Sequence, residues 1–257
     1  MTRSMHDAAR RAPLSCLLSV LLSAAPLAAH STILTFDQAR QSGTVVPTGA
    51  GSDIEADYGD RVSGPLQRVP GGMFTYGEAG EGFTPNVVAE FVSRGPGGGN
   101  DASLWTTQYG DLVNVAFGNQ FSNTMEVRLI ADAGYSVLLH SFDLAGWRET
   151  DYMIAGVQVL DANGVLFTDN DVRIEGDAIG PRHSTFTFTS PLEGNALTIL
   201  IDYGNLPGTQ QDNIGIDNIR FGQHPPAPIP EPASTLLMLG GAGLVCMRIR
   251  SARQRRG

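Results

Sequence analysis

A strict alternation of apolar and polar residues is the sequence feature that most limits the fold of this chain. In residues 124–131, TMEVRLIA, the apolar Met125, Val127 and Leu129 alternate with the charged Glu126 and Arg128. Successive side chains of a β-strand point to opposite faces, so this period of two predicts a strand with one buried face. Helical periodicity is scarce elsewhere in the chain, and the sequence therefore predicts an all-β fold.

The same alternation recurs in later stretches of the chain. It appears in STFTFTS (184–190), ALTILIDY (196–203) and NIGIDNIRF (213–221), where the inward face changes near Asp217 and Asn218. Two further candidate strands are YSVLLHSFDLAGW and MIAGVQVLD. The stretch DANG (161–164) predicts a hairpin turn, while SPLEGN and NLPGTQQDN predict loops. Strands at this spacing predict an antiparallel two-sheet sandwich, jelly-roll-like, over residues 30–222.

The charges of the chain are unevenly distributed. The chain has 257 residues and no Lys, and its net charge is −9. Eight of its 17 arginines lie near the two ends, so the middle holds nine arginines against 24 acidic residues, a net charge of −15. Such a surface repels phosphate backbones and attracts cations, which argues against nucleic-acid binding and favours ions such as calcium. The only cysteines, Cys16 and Cys246, lie in terminal apolar runs, so the middle of the chain can form no internal disulfide.

Residues 1–29 have the pattern of a secretory signal peptide. Two arginines precede an apolar run, residues 14–25, and small residues follow in PLAAHS. A charged start, an apolar middle and a small-residue end, in this order, predict export. Cleavage after Ala29 and cleavage after Ser31 both satisfy the pattern.

The C-terminal end combines three features. A Pro-rich linker, residues 223–232, ends in Pro230-Glu231-Pro232, and residues 235–247 then carry no charge before the final arginines. As a helix, these 13 residues would span about 20 Å, against about 30 Å for the bilayer core. Residues 233–257 therefore predict a short transmembrane helix, a weak anchor, with an Arg-rich tail that stays in the cytoplasm.

Pro-Glu-Pro, a short apolar run and a terminal Arg cluster together resemble the PEP-CTERM sorting signal of Gram-negative bacteria. The resemblance covers roughly residues 228–256. It implies export, transient tethering in the inner membrane and processing by an exosortase, with the protein then at the cell surface or in the extracellular matrix. It also implies an association with exopolysaccharide and biofilm material. The stretches YGDRVSGP, SLWTTQYGDL and SFDLAGW look more loosely like those of PEP-CTERM surface proteins, and none of these likenesses implies an activity.

The middle of the chain carries no recognisable catalytic motif. HExxH, GxSxG and CxxC are all missing, and its internal histidines, His140 and His183, each fall in a predicted strand. We therefore expect a non-enzymatic, cell-envelope or matrix protein. The alternatives are a secreted hydrolase that acts on polysaccharide and a purely structural component of the biofilm matrix.

Two aromatic stretches are candidates for glycan binding. SLWTTQYGD contains Trp105 and Tyr109, and AGWRETDY contains Trp147 and Tyr152 beside Arg148. Aromatic rings stack on sugar faces, and the neighbouring polar groups can bind hydroxyls. Packing in the core of a sandwich is the alternative role for each tryptophan.

Two acidic groups are candidates for structural calcium. Asp169 and Asp171 lie in the loop-like stretch TDNDVRIEGD and offer hard oxygen ligands. In sandwich domains similar to carbohydrate-binding modules the first and last strands meet and share a calcium ion, which implies Asp37, Asp217 and Asn218 as ligands here. Ordinary solvated acidic residues are the alternative for both groups.

Overall fold

The computed structural model describes residues 31–41, 44–63, 67–68, 74–75, 82–95, 102–119 and 121–226. The predicted signal peptide and the predicted transmembrane segment lie outside these residues. Within them, no helix is long and apolar enough to cross a bilayer.

The first third of the described chain forms short strands. They are β1 (Ser31–Leu34), β2 (Gln38–Gln41), β3 (Thr44–Pro47), β4 (Ser52–Asp53), β5 (Val62–Ser63), β6 (Gln67–Arg68), β7 (Phe74–Thr75), β8 (Phe83–Thr84), β9 (Val87–Arg94), β10 (Ser103–Trp105) and β11 (Val115–Phe117). The longer strands follow: β12 (Thr124–Ala131), β13 (Ser136–Gly146), β14 (Tyr152–Asp161), β15 (Gly164–Ile174), β16 (Ser184–Gly194), β17 (Ala196–Asp202) and β18 (Ile214–His224), with one 3-10 turn at Gly208–Gln210.

These strands form two large antiparallel sheets. The larger sheet has seven strands in the order β16-β13-β18-β11-β10-β4, with β1 also paired to β18. The smaller sheet has five strands in the order β15-β14-β17-β12-β9, and three two-stranded ladders complete the described pairings. The all-β, antiparallel fold predicted from the sequence is confirmed.

The inward faces of the two sheets share one core. Met125, Val127 and Leu129 of β12 are fully buried, as the alternation predicted, and they belong to the same cluster as Leu139 and Ile216 of the larger sheet. The two sheets therefore pack face to face. Burial of each such aliphatic side chain contributes roughly 1.5–3 kcal/mol to folding, so this shared core is the main source of stability.

The face change predicted in β18 is a β-bulge. Ser141 of β13 pairs with Arg220, but Asp143 pairs with Asp217, so β18 has one residue more than its partner strand between these pairs. Asn218 takes up this extra length in a left-handed conformation, with φ 51°. In a regular strand Ile216 and Ile219 would point to opposite faces, because they are three positions apart. The bulge allows both side chains to point into the core.

The turn predicted between β14 and β15 is also confirmed. Asp161 pairs with Gly164. Its Oδ1 atom accepts the backbone N–H groups of Asn163 at 2.7 Å and Gly164 at 2.9 Å. The hairpin extends further than the sequence predicted: Asp169 and Asp171, expected in a loop, lie within β15, and Asp169 pairs with Val157. That loop expectation was wrong because the long antiparallel ladder continues through these acidic residues.

Two smaller expectations about β16 need correction. His183 was placed in a strand but precedes β16, which begins at Ser184. SPLEGN was placed in a loop, yet β16 continues to Gly194. The pairing with β13 passes from Thr187 to Leu192 across an irregularity, so the Pro-containing stretch forms a bulged part of the strand rather than its end.

Candidate functional site

Loops from several strands converge at the end of the body where β18 begins. We call this region the loop end; it consists of residues 106–114, 147–151, 175–183 and 203–213. Backbone hydrogen bonds join these loops directly. Trp147 N–H donates to the carbonyl of Asn213 at 2.8 Å, and Glu149 N–H donates to Gln108 at 3.2 Å.

The two tryptophans of the chain meet at the loop end. Trp105 and Trp147 pack edge to face, with ring centroids 6.0 Å apart and planes at 82°. Both rings are half-buried and pack on a small apolar cluster that is separate from the main core. Its buried members are Tyr109, Leu112, Val115 and Ala145.

The two predicted tyrosines support the tryptophans. Tyr109 is 2% exposed, and its hydroxyl donates to the carbonyl of Asp212 at 2.7 Å. Tyr152 accepts a hydrogen bond from Nδ2 of Asn213 at 2.7 Å. Burial raises the pKa of both hydroxyls. The structure thus brings three of the four predicted aromatic residues into one cluster, with Tyr109 enclosed and the two tryptophans at the surface. Tyr152 packs against the main core and reaches this group through its hydroxyl, 3.4 Å from the carbonyl oxygen of Trp147.

Charged side chains surround this aromatic group. The guanidinium of Arg148 lies 4.5 Å from the ring centroid of Trp147, in cation–π geometry. Arg182 lies 3.5 Å from Glu149. His183 Nδ1 lies 2.7 Å from Asp111; burial alone would raise the pKa of this carboxyl, but the hydrogen bond and charge of His183 outweigh it and lower the pKa. Of these residues, Arg148 and Glu149 were visible beside Trp147 in the sequence, whereas Asp111, Arg182 and His183 are distant from it in the chain.

The backbone of the loop end is strained. Arg148 and Glu149 are consecutive residues in the left-handed region, with φ 58° and 51°. Each such non-glycine residue costs about 1–3 kcal/mol, and strain of this kind concentrates at functional sites. Gly110 has φ 57°, and a Cβ atom there would lie 1.6 Å from the carbonyl oxygen of Arg182, so only glycine fits.

Buried polar atoms without hydrogen bonds also concentrate here. Six such side-chain atoms of the described residues lie at the loop end: Trp147 Nε1, Glu175 Oε2, Arg182 Nε, Tyr203 Oη, Asp212 Oδ1 and Asn213 Oδ1. Two of them have a polar neighbour, since Glu175 Oε2 lies 3.5 Å from Nε of Arg173 and the hydroxyl of Tyr203 interacts with Ser93. Buried polar groups in native proteins are nearly always paired, so the other four are open to hydrogen bonds from water or a ligand.

Exposed apolar side chains mark the same region. Seven large hydrophobic side chains of the described residues are exposed. Four of these lie on or beside the converging loops: Val113, Phe121, Met153 and Ile179, the last 95% exposed.

The predicted calcium ligands of the larger sheet lie around the bulge of β18. Asp217 is 4% exposed and accepts the backbone N–H of Asn218 at 2.6 Å. The pKa of Asp217 is raised to about 8, mainly by burial and also by the charges of Asp37 and Asp143, which together outweigh the lowering effect of the hydrogen bond from Asn218. Asn218 Nδ2 donates to Asp143 at 2.9 Å, so Asp143 is a fourth member that the sequence did not reveal.

Asp37 is held at this site from two sides. Asn114 Nδ2 donates to Oδ1 of Asp37 at 2.6 Å, and the hydroxyl of Thr35 donates to Oδ2 at 2.8 Å. Asp169 and Asp171 are exposed on the smaller sheet and do not join this group. Among the described residues, no three His, Cys, Asp or Glu side chains are arranged to hold a metal ion.

The loop end and the C-terminal exit of the body lie at opposite ends of β18. The ladder with β13 runs from the pair Gly146–Ile214 at the loop end to the pair Ser136–His224 at the exit. At ~3.3 Å per residue, these ends are about 30 Å apart. A ligand at the loop end would therefore lie far from His224, where β18 ends.

Comparison with known proteins finds no match among curated sequences. Among solved structures, the family 32 carbohydrate-binding module of C. perfringens NanJ, solved with galactose, shares 10% identity at a TM-score of 0.25, covering 54% of this chain and 93% of that one. A Stig cyclase from Fischerella sp. shares 12% identity at a TM-score of 0.28, covering 77% of this chain and 100% of that one. An exo-beta-1,3-galactanase from Phanerochaete chrysosporium shares 14% identity at a TM-score of 0.20, covering 72% and 31% respectively. Similarity at this level carries no information about ligand or activity.

The C-terminal segment gives a family match. Residues 228–256 match the PEP-CTERM protein-sorting motif, over the same residues that resembled it in the sequence. That prediction of the motif is confirmed, and the motif implies processing by an exosortase. The chain thus carries, at residues 228–256, the PEP-CTERM sorting motif that marks exosortase substrates.

Proposed function

We propose that this chain is a non-enzymatic protein of the cell envelope or extracellular matrix whose β body binds polysaccharide through its loop end. In this proposal residues 1–29 are removed on export, residues 233–257 hold the protein briefly in the inner membrane, and the exosortase then releases it from that anchor. The sorting motif at residues 228–256 supports this route.

We infer a jelly-roll-like sandwich as the scaffold for this function. From β11 to β18 the chain alternates between the two sheets, except at the β14–β15 hairpin. The resulting orders, β16-β13-β18-β11 and β15-β14-β17-β12, are those expected of two Greek keys. Such a scaffold gathers the loops that follow β13, β15 and β17 at one end, and the loop between β10 and β11 packs against them to complete the candidate site.

The observation that carries the glycan proposal is the convergence of Trp105 and Trp147 at the surface. The two residues are 42 positions apart in the chain, yet their half-buried rings meet on a rigid base of buried side chains. Rings held in this way offer apolar area to a pyranose without loss of rotamer freedom. Arg148 and the unpaired polar atoms of the loop end offer donors and acceptors for hydroxyl or carboxylate groups.

The test is binding of the purified exported protein to exopolysaccharide from the producing cells. We expect Trp147→Ala to reduce retention on immobilised polysaccharide at least tenfold, because stacking of a sugar on an aromatic ring is lost. Phe83→Ala is the matched control, since Phe83 is 44% exposed but belongs to β8, outside the loop end. Equal retention of both variants, each with an unchanged circular dichroism spectrum, would remove the proposal.

The two alternatives predict different outcomes in the same experiment. A polysaccharide hydrolase would release reducing ends from the bound polymer. A purely structural matrix component would neither bind nor cleave it. Our proposal requires binding without release of reducing ends.

We also propose that Asp37, Asp217 and Asn218, together with Asp143, bind a structural calcium ion; their carboxylates are not arranged as a metal site in the structure, so binding requires them to move closer together. The burial of Asp217 beside two other carboxylates supports this, because a divalent cation would offset their mutual repulsion. Calcium is then expected to raise the melting temperature of the protein at pH 8, and Asp217→Asn to abolish the increase. The same melting temperature in calcium and in chelator would contradict this site. The control is replacement of the exposed Asp169 and Asp171 by Asn, which is expected to leave the calcium-dependent rise in melting temperature unchanged.

A further inference from the structure

The chain leaves the body beside a cavity at the end of β18. The cavity has a volume of about 370 Å³ and lies between the turn before β13, the end of β16 and the residues that follow β18. Pro226, which lines it, is the last described residue before the sorting motif. This end of the body is remote from the tryptophans.

The carboxylate of Glu193 contacts both the start of β13 and the end of β18. One carboxylate oxygen of Glu193, Oε1, accepts the hydroxyl of Ser136 at 2.5 Å and lies 3.0 Å from Nδ1 of His224. Ser136 and His224 are also partners in the last pair of the β13–β18 ladder. Ser136 and His224 are therefore joined both by the backbone ladder and, through the carboxylate of Glu193, by their side chains.

The prolines that follow His224 rest on the turn before β13. Gly134 lies in this turn, which is closed by a hydrogen bond of 2.9 Å from Tyr135 N–H to the carbonyl of Asp132. A Cβ atom at Gly134 would lie 3.6 Å from Cβ of Pro226, which is ordinary van der Waals contact. The body thus holds the chain to within a few residues of the sorting motif.

The remaining length is short. Pro230, the first residue of Pro-Glu-Pro, is four residues beyond Pro226, which corresponds to at most about 14 Å of extended chain. A body of some 190 residues at one end of so short a connection restricts the approach of a membrane-bound enzyme to the motif. The position and direction in which the connection leaves the body consequently affect processing.

We propose that Glu193 and Ser136 are positioning residues for exosortase processing, because they anchor the chain exit and so set the distance and direction in which the sorting motif is presented. The proposal rests on the sorting motif and not on the glycan-binding function. It is unaffected if the loop end binds no polysaccharide.

The test measures the rate at which the full-length precursor is converted to the processed form in cells that contain the exosortase. Glu193→Ala removes both contacts of the carboxylate, and we expect conversion to slow by about two- to fivefold, the effect of losing two exposed side-chain contacts. The matched control is Glu90→Ala, which removes an exposed strand glutamate paired with Arg128 at 3.7 Å on the other sheet. The control is expected to be processed at the original rate.

A second change distinguishes an effect of Glu193 on the position of the chain exit from an effect on the stability of the body. Insertion of Gly-Ser-Gly-Ser after Pro226 makes the connection long and flexible, so the direction of the exit no longer matters. In this background Glu193→Ala is expected to have no further effect on conversion. If Glu193→Ala is processed at the original rate in the unmodified chain, or if its effect persists in full beside the insertion, the proposal is overturned.

Discussion

Trp147 meets Trp105 edge to face, with 6.0 Å between ring centroids, at the end of the body opposite to the chain exit. Trp147 is placed there by the end of β13 and by an isolated bridge to Tyr109. Trp105 comes from β10, which β11 separates from β18 in the larger sheet. The contact between the two rings requires the correct pairing of β10, β11, β18 and β13. A measurement of this contact therefore tests the fold as well as the candidate site.

We expect the two tryptophans to be energetically coupled. Each single change to Ala lowers the free energy of unfolding by about 1–3 kcal/mol, because both rings are only half-buried. The double variant should lose less than the sum, with a coupling of about 0.5–1.5 kcal/mol for an aromatic pair. Denaturant unfolding of the four proteins in the cycle measures this.

A distant aromatic pair provides the control for that cycle. Phe186 packs against Phe142 and Phe167, away from the loop end. Changes at Trp105 and Phe186 should therefore add. A Trp105–Trp147 cycle that is equally additive would mean that the two rings do not share their packing.

Asp217 predicts a specific dependence of stability on pH. Its pKa is raised from an ordinary value of 3.8 to about 8 in the folded protein, mainly by burial. Between these values the folded state binds more protons than the unfolded state, so stability decreases as the pH rises from about 4 to about 8. Asp217→Asn should remove this contribution and, without calcium, stabilise the protein at pH 8, by an amount on the order of a few kcal/mol.

The measurement is the free energy of unfolding of both proteins at several pH values in the presence of chelator. The difference between the two curves isolates Asp217 from the other titrating groups. It should be small below pH 4 and grow towards pH 8. A difference that is constant over this range would show that Asp217 titrates normally in the folded protein.

Gly110 predicts a steric requirement at the loop end. Gly110→Ala places a Cβ atom 1.6 Å from the carbonyl oxygen of Arg182 and strains a backbone with φ 57°. We expect a loss of more than 2 kcal/mol, since the contact is to backbone, which cannot move aside. Gly51→Ala is the matched control, because Gly51 also has a positive φ, 75°, but nothing lies within 4 Å of its added Cβ atom.

Thermal unfolding of the two alanine variants compares these effects. The control should lose only the roughly 1 kcal/mol of a left-handed alanine. Similar melting temperatures for both variants would indicate that residues 106–114 and 175–183 do not pack as described.

The local pattern of the sequence was sufficient to predict the strands with one buried face. Met125, Val127 and Leu129 in β12 and Ile216 and Ile219 in β18 were all expected to be buried, and all are. The reason is that alternation within one strand depends on that strand alone. The bulge at Asn218 is also visible in the sequence, because it changes the spacing between the buried Ile216 and Ile219 from the usual two positions to three.

The candidate site could be predicted only in part. The aromatic residues were recognisable by type, but the meeting of Trp105 with Trp147 depends on pairing between strands that are distant in the chain. Asp143 lies in an apolar stretch with no acidic neighbour, so only the register of β13 on β18 shows that it joins Asp217. Asp169 and Asp171 were placed in a loop because acidic residues are typical of loops, although here a long hairpin includes them in a strand.

The central claim is that this body is exported and then separated from its C-terminal segment by an exosortase. Intact-mass spectrometry of the protein from cells with and without the exosortase tests it most directly. With the enzyme, we expect a protein that lacks residues 1–29 and ends near Pro-Glu-Pro; without it, a cell-bound form that keeps the arginine-rich end. An arginine-rich C-terminus in the protein from both kinds of cell would contradict the account.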